Sequence, residues 1–163
     1  MAAGVSIRVC TGASAGTESA AVTGIDLISA DNATNSTANR AAFPITAASP
    51  GRSYEKWIRA EVDTAADNYV NNFKLYGDGA VQSSTVLYLG KTETGVTPTS
   101  ADSTVATNAW TTYTSTSAFS WHATNMTGVG SKTDYAVFQL DVNADAVAGN
   151  WTQETITYTF DEA

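Results

Sequence analysis

Apolar residues recur at every second position in short runs along almost the whole chain, and Gly, Pro, Asn, Asp or Ser closes each run. A period of two places successive side chains on opposite faces of an extended backbone. The pattern therefore dictates strands and excludes amphipathic helices as the main building block. Residues 53–63 are the clearest case: Tyr54, Ile58, Ala60 and Val62 fall on one face, and Glu55, Trp57, Arg59 and Glu61 on the other. Residues 134–142 place Ala136, Phe138, Leu140 and Val142 together, and residues 152–161 set Ile156, Tyr158 and Phe160 against Thr155, Thr157 and Thr159.

Further strands are expected at residues 5–10, 20–29, 70–76, 85–89, 110–113 and 118–122. Gly24 interrupts the second of these and predicts a bulge. Gly77-Asp78-Gly79 is a strong turn signal. The polar stretch 31–40 reads as a short helix or, favoured by its Asn and Thr content, a surface loop; 92–108 as an Ω-like surface loop; 125–132 as a loop; and 143–150 as a turn or a single helical turn. Roughly eight to ten mostly antiparallel strands on short connections predict an all-β fold, a single β-sandwich of jelly-roll type. One domain spans residues 1–163, long enough to bury ~70% of the surface of the unfolded chain without a disulfide or metal. The runs nearest the two termini are candidate sheet edges, which in an oligomer can pair with a neighbour.

Composition narrows the chemistry. The net charge is −8, and the eight Lys and Arg are scattered with no basic run, so nucleic acid is not an expected partner. No apolar stretch approaches the ~18 residues of a membrane span, and the first residues do not read as a secretory signal. Cys10, the one cysteine, sits in an alternating run and reads as a small buried hydrophobe. His122, the one histidine, follows Phe119 and Trp121, which favours a packed or hydrogen-bonded ring over a catalytic base. Glu55 and Glu61 share a face but stand roughly 20 Å apart along a strand, too far for paired-carboxylate catalysis, and read as solvated surface beside Lys56 or Arg59. Asp141, Asn143 and Asp145 have the spacing that starts a calcium loop, but Ala146 replaces its glycine and Thr152 its closing glutamate. No catalytic set, metal site or cofactor is expected.

Four Trp and seven Tyr remain to be placed. Trp57 lies opposite the Tyr54/Ile58/Val62 face, so it is a candidate contact for a sugar ring or a neighbouring subunit, with Trp110 a second. Val5, Ile7 and Val9 are the corresponding candidates on the N-terminal run. Aromatic platforms on a β-sandwich keep a carbohydrate-binding module, or a receptor-binding head or tail fibre component, as the alternative function.

Three segments carry a likeness: Ser53-Tyr54-Glu55-Lys56-Trp57-Ile58-Arg59, then residues 71–79 (NNFKLYGDG), then residues 154–162 (ETITYTFDE). Together they resemble small virion proteins of tailed bacteriophages, the capsid decoration or cement proteins and related β-sandwich minor capsid proteins. The resemblance implies a jelly-roll-like subunit, often a homotrimer, that sits on the outer capsid surface and clamps neighbouring major capsid proteins. It implies assembly in the host cytoplasm and no active site. Low charge and abundant Thr, Ser and Asn suit wet polar interfaces, and multivalent docking would supply avidity.

Overall fold

A computed structural model describes residues 2–32, 51–79, 81–146 and 153–163. Among the described residues there are ten strands: β1 (Gly4–Thr11), β2 (Thr17–Val22), β3 (Gly51–Arg52), β4 (Lys56–Thr64), β5 (Val70–Tyr76), β6 (Thr85–Thr92), β7 (Asn108–Ala109), β8 (Phe119–His122), β9 (Tyr135–Val142) and β10 (Thr157–Glu162). They form two sheets, one ordered β2-β1-β4-β9-β6-β7 with β3 also on β9, the other ordered β10-β5-β8. Every strand pair is antiparallel. The chain is thus an all-β sandwich.

The order of connection is informative. With the ribbon β2 and the short β3, β7 and β8 set aside, the large sheet runs first, second, fifth, fourth, and the small sheet pairs sixth with third. The crossovers join two antiparallel sheets, as expected of a β-sandwich.

The period-two faces assemble as the sequence dictates. Ile58, Ala60 and Val62 of β4, Leu87 and Leu89 of β6, and Ala136 and Phe138 of β9 face Phe73, Leu75, Phe119 and Trp121 of the small sheet. Aromatic edges order this core, with Phe73 stacked on Phe160 at 5.3 Å and Trp110 edge-on to Phe138 at 5.6 Å.

Four local expectations are corrected. Residues 110–113 are not a strand: Trp110–Thr112 form a 3-10 turn that drops the indole into the core. The second strand ends at Val22, and Gly24 lies outside it with no heavy atom near its missing Cβ. The bulge falls instead where the β1–β2 register shifts between Arg8 and Cys10, and there the Val9 amide donates to Ser19 Oγ at 3.0 Å. Finally, β1 is not a sheet edge, because β2 covers one side and β4 the other.

The true edges are blunted. The β10–β5 register breaks between Thr159 and Asp161, the β5–β8 register between Phe73 and Lys74, and β7 is only two residues long. Bulges and short strands spoil the flat ladder that a second chain would need for strand addition.

The back of the large sheet carries a third layer. Residues 93–107 and the turn Ala13–Ala15 lie over Cys10, Trp57, Tyr135 and Val137. Buried Gln139 clamps this layer: its Nε2 donates to the Ala101 and Ser53 carbonyls at 2.8 and 3.2 Å, and its Oε1 accepts from the Ser103 amide at 3.0 Å. The Glu55 amide donates to the Thr99 carbonyl at 2.8 Å. Arg52 bridges Asp102 of the loop and Asp141 of β9.

Candidate functional site

The structure does not gather the five interface candidates on one surface. Trp57 faces the loop layer on the back of the large sheet, and Trp110 lies between the sheets. Both are 0% exposed, as is Val9. Val5 and Ile7 are half-buried and packed against the core, their side chains alternating inward with Val9. Trp121 is also enclosed, its Nε1 donating to the Asp134 carbonyl at 2.9 Å. Trp151 lies outside the described residues.

Glu55 and its neighbour Lys56 are not solvated surface. Glu55 is buried, and its Oε2 accepts from Trp57 Nε1 at 3.0 Å. Glu55 lies just before β4 and Trp57 lies in it, and the carboxylate braces the indole that the loop layer covers. Lys56 is also buried and donates to the Asn32 carbonyl. Glu61 is half-buried and pairs with Arg8, which also reaches Asp63.

Burial lowers the Lys56 pKa from 10.5, and Asp31 and Asp26 oppose the shift. The folded chain therefore sheds this proton before the unfolded chain does, and stability rises with pH between the lowered value and 10.5. In Lys56→Met that rise is expected to vanish from denaturant-unfolding curves across the alkaline range. An unchanged slope would show that the ammonium is well solvated.

Cys10 is a free thiol, 1% exposed. Burial, with Glu18 next in effect, pushes its pKa up to about 12. Because the thiolate is the nucleophile, it is expected to react with an aromatic disulfide reagent only as fast as the chain opens. Labelling in the folded state at the rate of free cysteine would contradict this.

Asp141, the first of the calcium-spaced residues, is committed to Arg52 at 3.0 Å, and burial raises its carboxyl pKa despite that guanidinium. Among the described residues no group of three or more His, Cys, Asp or Glu is placed to hold a metal ion. His122 Nδ1 lies 3.2 Å from Asp134 Oδ2 and 3.3 Å from the Asp134 amide nitrogen.

One concavity stands out. A cleft of about 690 Å³ is lined by Ile7 of β1, Val22 of β2, residues 23–27 and Tyr158 of β10. Ile7, Val22, Leu75, Leu87 and Ile156 make it apolar, while Asp26 and Glu154 make it acidic. Tyr158 Oη donates across the open edge to the Val5 carbonyl at 3.3 Å. Such a lining favours apolar, uncharged or cationic groups over anions.

Sequence reasoning missed the Gln139 clamp and the Glu55–Trp57 brace. The signal for both was that Tyr135 and Val137 alternate with Ala136 and Phe138, so β9 is apolar on both faces and needs cover on both. No protein-family model, curated protein or solved structure matches the chain.

Proposed function

We propose that the chain is a structural virion subunit, a capsid decoration protein that binds and stabilises a lattice of major capsid protein. The observation that supports it best is how the reactive and aromatic side chains are used. His122, Lys56, Glu55, Asp141 and Cys10 are each bonded within the fold or sealed by it, and three of the four Trp are enclosed. What remains outside is rich in Thr, Ser and Asn on a scaffold braced from both sides. Blunted sheet edges suit a subunit that must stand at high density on a lattice without polymerising through its strands. On this reading it docks through faces and loops, as a homotrimer on the outer capsid surface, after assembly in the host cytoplasm. The sugar-platform alternative loses its motivating residues, since Trp57 and Trp110 have no open ring face.

The test is to heat decorated and stripped particles side by side. Decorated particles rupture at the higher temperature if the chain is a cement, and equal rupture temperatures overturn the reading. Light scattering gives the oligomer number, with three times the chain mass expected for a lattice-capping trimer.

A further inference from the structure

The pair His122 and Asp134 makes two incompatible demands on one nitrogen. Nδ1 of His122 is 3.3 Å from the Asp134 amide nitrogen, which donates, and 3.2 Å from Asp134 Oδ2, which accepts. A neutral ring with its hydrogen on Nε2 satisfies the amide and faces the carboxylate oxygen lone pair to lone pair. A protonated ring must donate from Nδ1, which satisfies the carboxylate and leaves the amide without its acceptor.

We propose that His122 and Asp134 form a proton-operated latch at the base of the loop that joins β8 to β9. A proton from solvent adds to the Nδ1 lone pair, the Asp134 N–H bond to Nδ1 breaks, and an Nδ1–H bond to Asp134 Oδ2 forms. The surrounding bonds confine the exchange to this one amide. The Asp134 carbonyl accepts from Trp121 Nε1 and Thr133 Oγ1 at 2.9 and 2.8 Å. Thr133 is tied to Ala60 through both its amide and its hydroxyl, each at 3.0 Å. The Asp134 amide is thus the main-chain donor at this node whose acceptor titrates.

The side chains of His122 and Asp134 are 12% and 24% exposed, so solvent protons reach them. The Phe73 ring, 6.4 Å away, covers the imidazole without adding charge. The charged groups on the elements packed around the pair are Asp134 itself, Lys74 on β5, and on β10 Asp161, which accepts from Asn72, and Glu162, which accepts from the Ala3 amide. Beyond the node, Arg59 is bound to the Thr133 carbonyl and Lys132 to Glu18. The loop above the latch carries Val129, 67% exposed, so the proton acts where the chain presents an apolar tip. The inference does not rest on the virion reading.

Because His122 is the one histidine, its ring nitrogens assign directly in a nitrogen-15-labelled full-length chain. Above the imidazole titration, Nδ1 is expected to read as unprotonated and Nε2 as protonated. On acidification the Asp134 amide proton should shift upfield in the same step as the ring. Its exchange, corrected for the intrinsic pH dependence, should quicken roughly fivefold, as for loss of one hydrogen bond. In Asp134→Asn the amide bond persists at neutral pH, while on acidification Nδ1–H no longer finds a carboxylate to receive it. A proton on Nδ1 at neutral pH, or an Asp134 amide that ignores the imidazole titration, overturns the latch, and both are read on the unmodified chain.

Discussion

Gly90→Val is expected to cost about 3 kcal/mol of folding free energy and to lower the unfolding temperature by roughly 6–12 °C. Gly90 sits on β6 opposite Val137 of β9, on the face beneath residues 93–107. A Cβ there would lie 1.7 Å from the Val105 carbonyl oxygen and 2.5 Å from its carbon. Both are backbone atoms, so no rotamer relieves the clash. Either the strand twists out of the sheet or the loop lifts off, and lifting exposes Trp57, Tyr135 and Val137 together. Gly24→Ala is the control. Its Cβ would meet nothing within 4 Å, so a small gain of about 0.4–1 kcal/mol is expected from the stiffer unfolded chain. Denaturant unfolding of both variants decides the matter, and equal, small effects would mean that the loop does not rest on the sheet.

This contrast bears on what the sequence alone could reveal. Period-two alternation placed β4, β5, β8 and β9 because a half-buried strand must show it, and the residues named on the inner faces of β4 and β9 lie in or against the core, except Tyr54, which precedes β4. What alternation cannot say is what lies over a face. Trp57 was readable as exposed because its strand neighbours Arg59 and Glu61 are charged, yet the strand changes character along its length. At Glu55 and Trp57 the loop covers it, while Arg59 donates to the Thr133 carbonyl and Glu61 pairs with Arg8. The cover comes from a polar segment whose own composition signals surface. Its seating depends on two glycines, Gly90 in the sheet and Gly95 in the loop, whose missing side chains let backbone meet backbone. The turn at Trp110 escaped for a related reason. A large aromatic in a short apolar run fits a strand equally well, and only the core it fills selects the 3-10 geometry. The N-terminal run was readable as an edge from its position in the chain, whereas β2, poorer in large apolar residues, folds back to cover it.

Trp57→Ala is expected to cost about 4 kcal/mol for the lost indole and its cavity, and roughly 1–3 kcal/mol more for the stranded Glu55 carboxylate. The indole is 0% exposed, meets Tyr135 edge-on at 5.3 Å, and donates to Glu55 Oε2 at 3.0 Å. For a domain with 5–15 kcal/mol of total stability this approaches global unfolding. The informative variant is therefore Trp57→Phe, which keeps one aromatic ring but loses the N–H and three ring atoms, for a cost of roughly 2–4 kcal/mol. Adding Glu55→Leu to Trp57→Phe should recover part of that loss, because the buried acceptor goes with its missing donor. The same pair separates a structural role from a contact role. If Trp57 braces the loop layer and the proposed decoration role holds, the folded fraction of Trp57→Phe binds capsid particles as the parent does, while its denaturation midpoint falls. If Trp57 met the partner directly, binding would weaken with the midpoint unmoved, which would require the loop layer to open on docking. Titrating particles with each variant well below its unfolding temperature distinguishes the two outcomes, and the enclosed indole predicts the first.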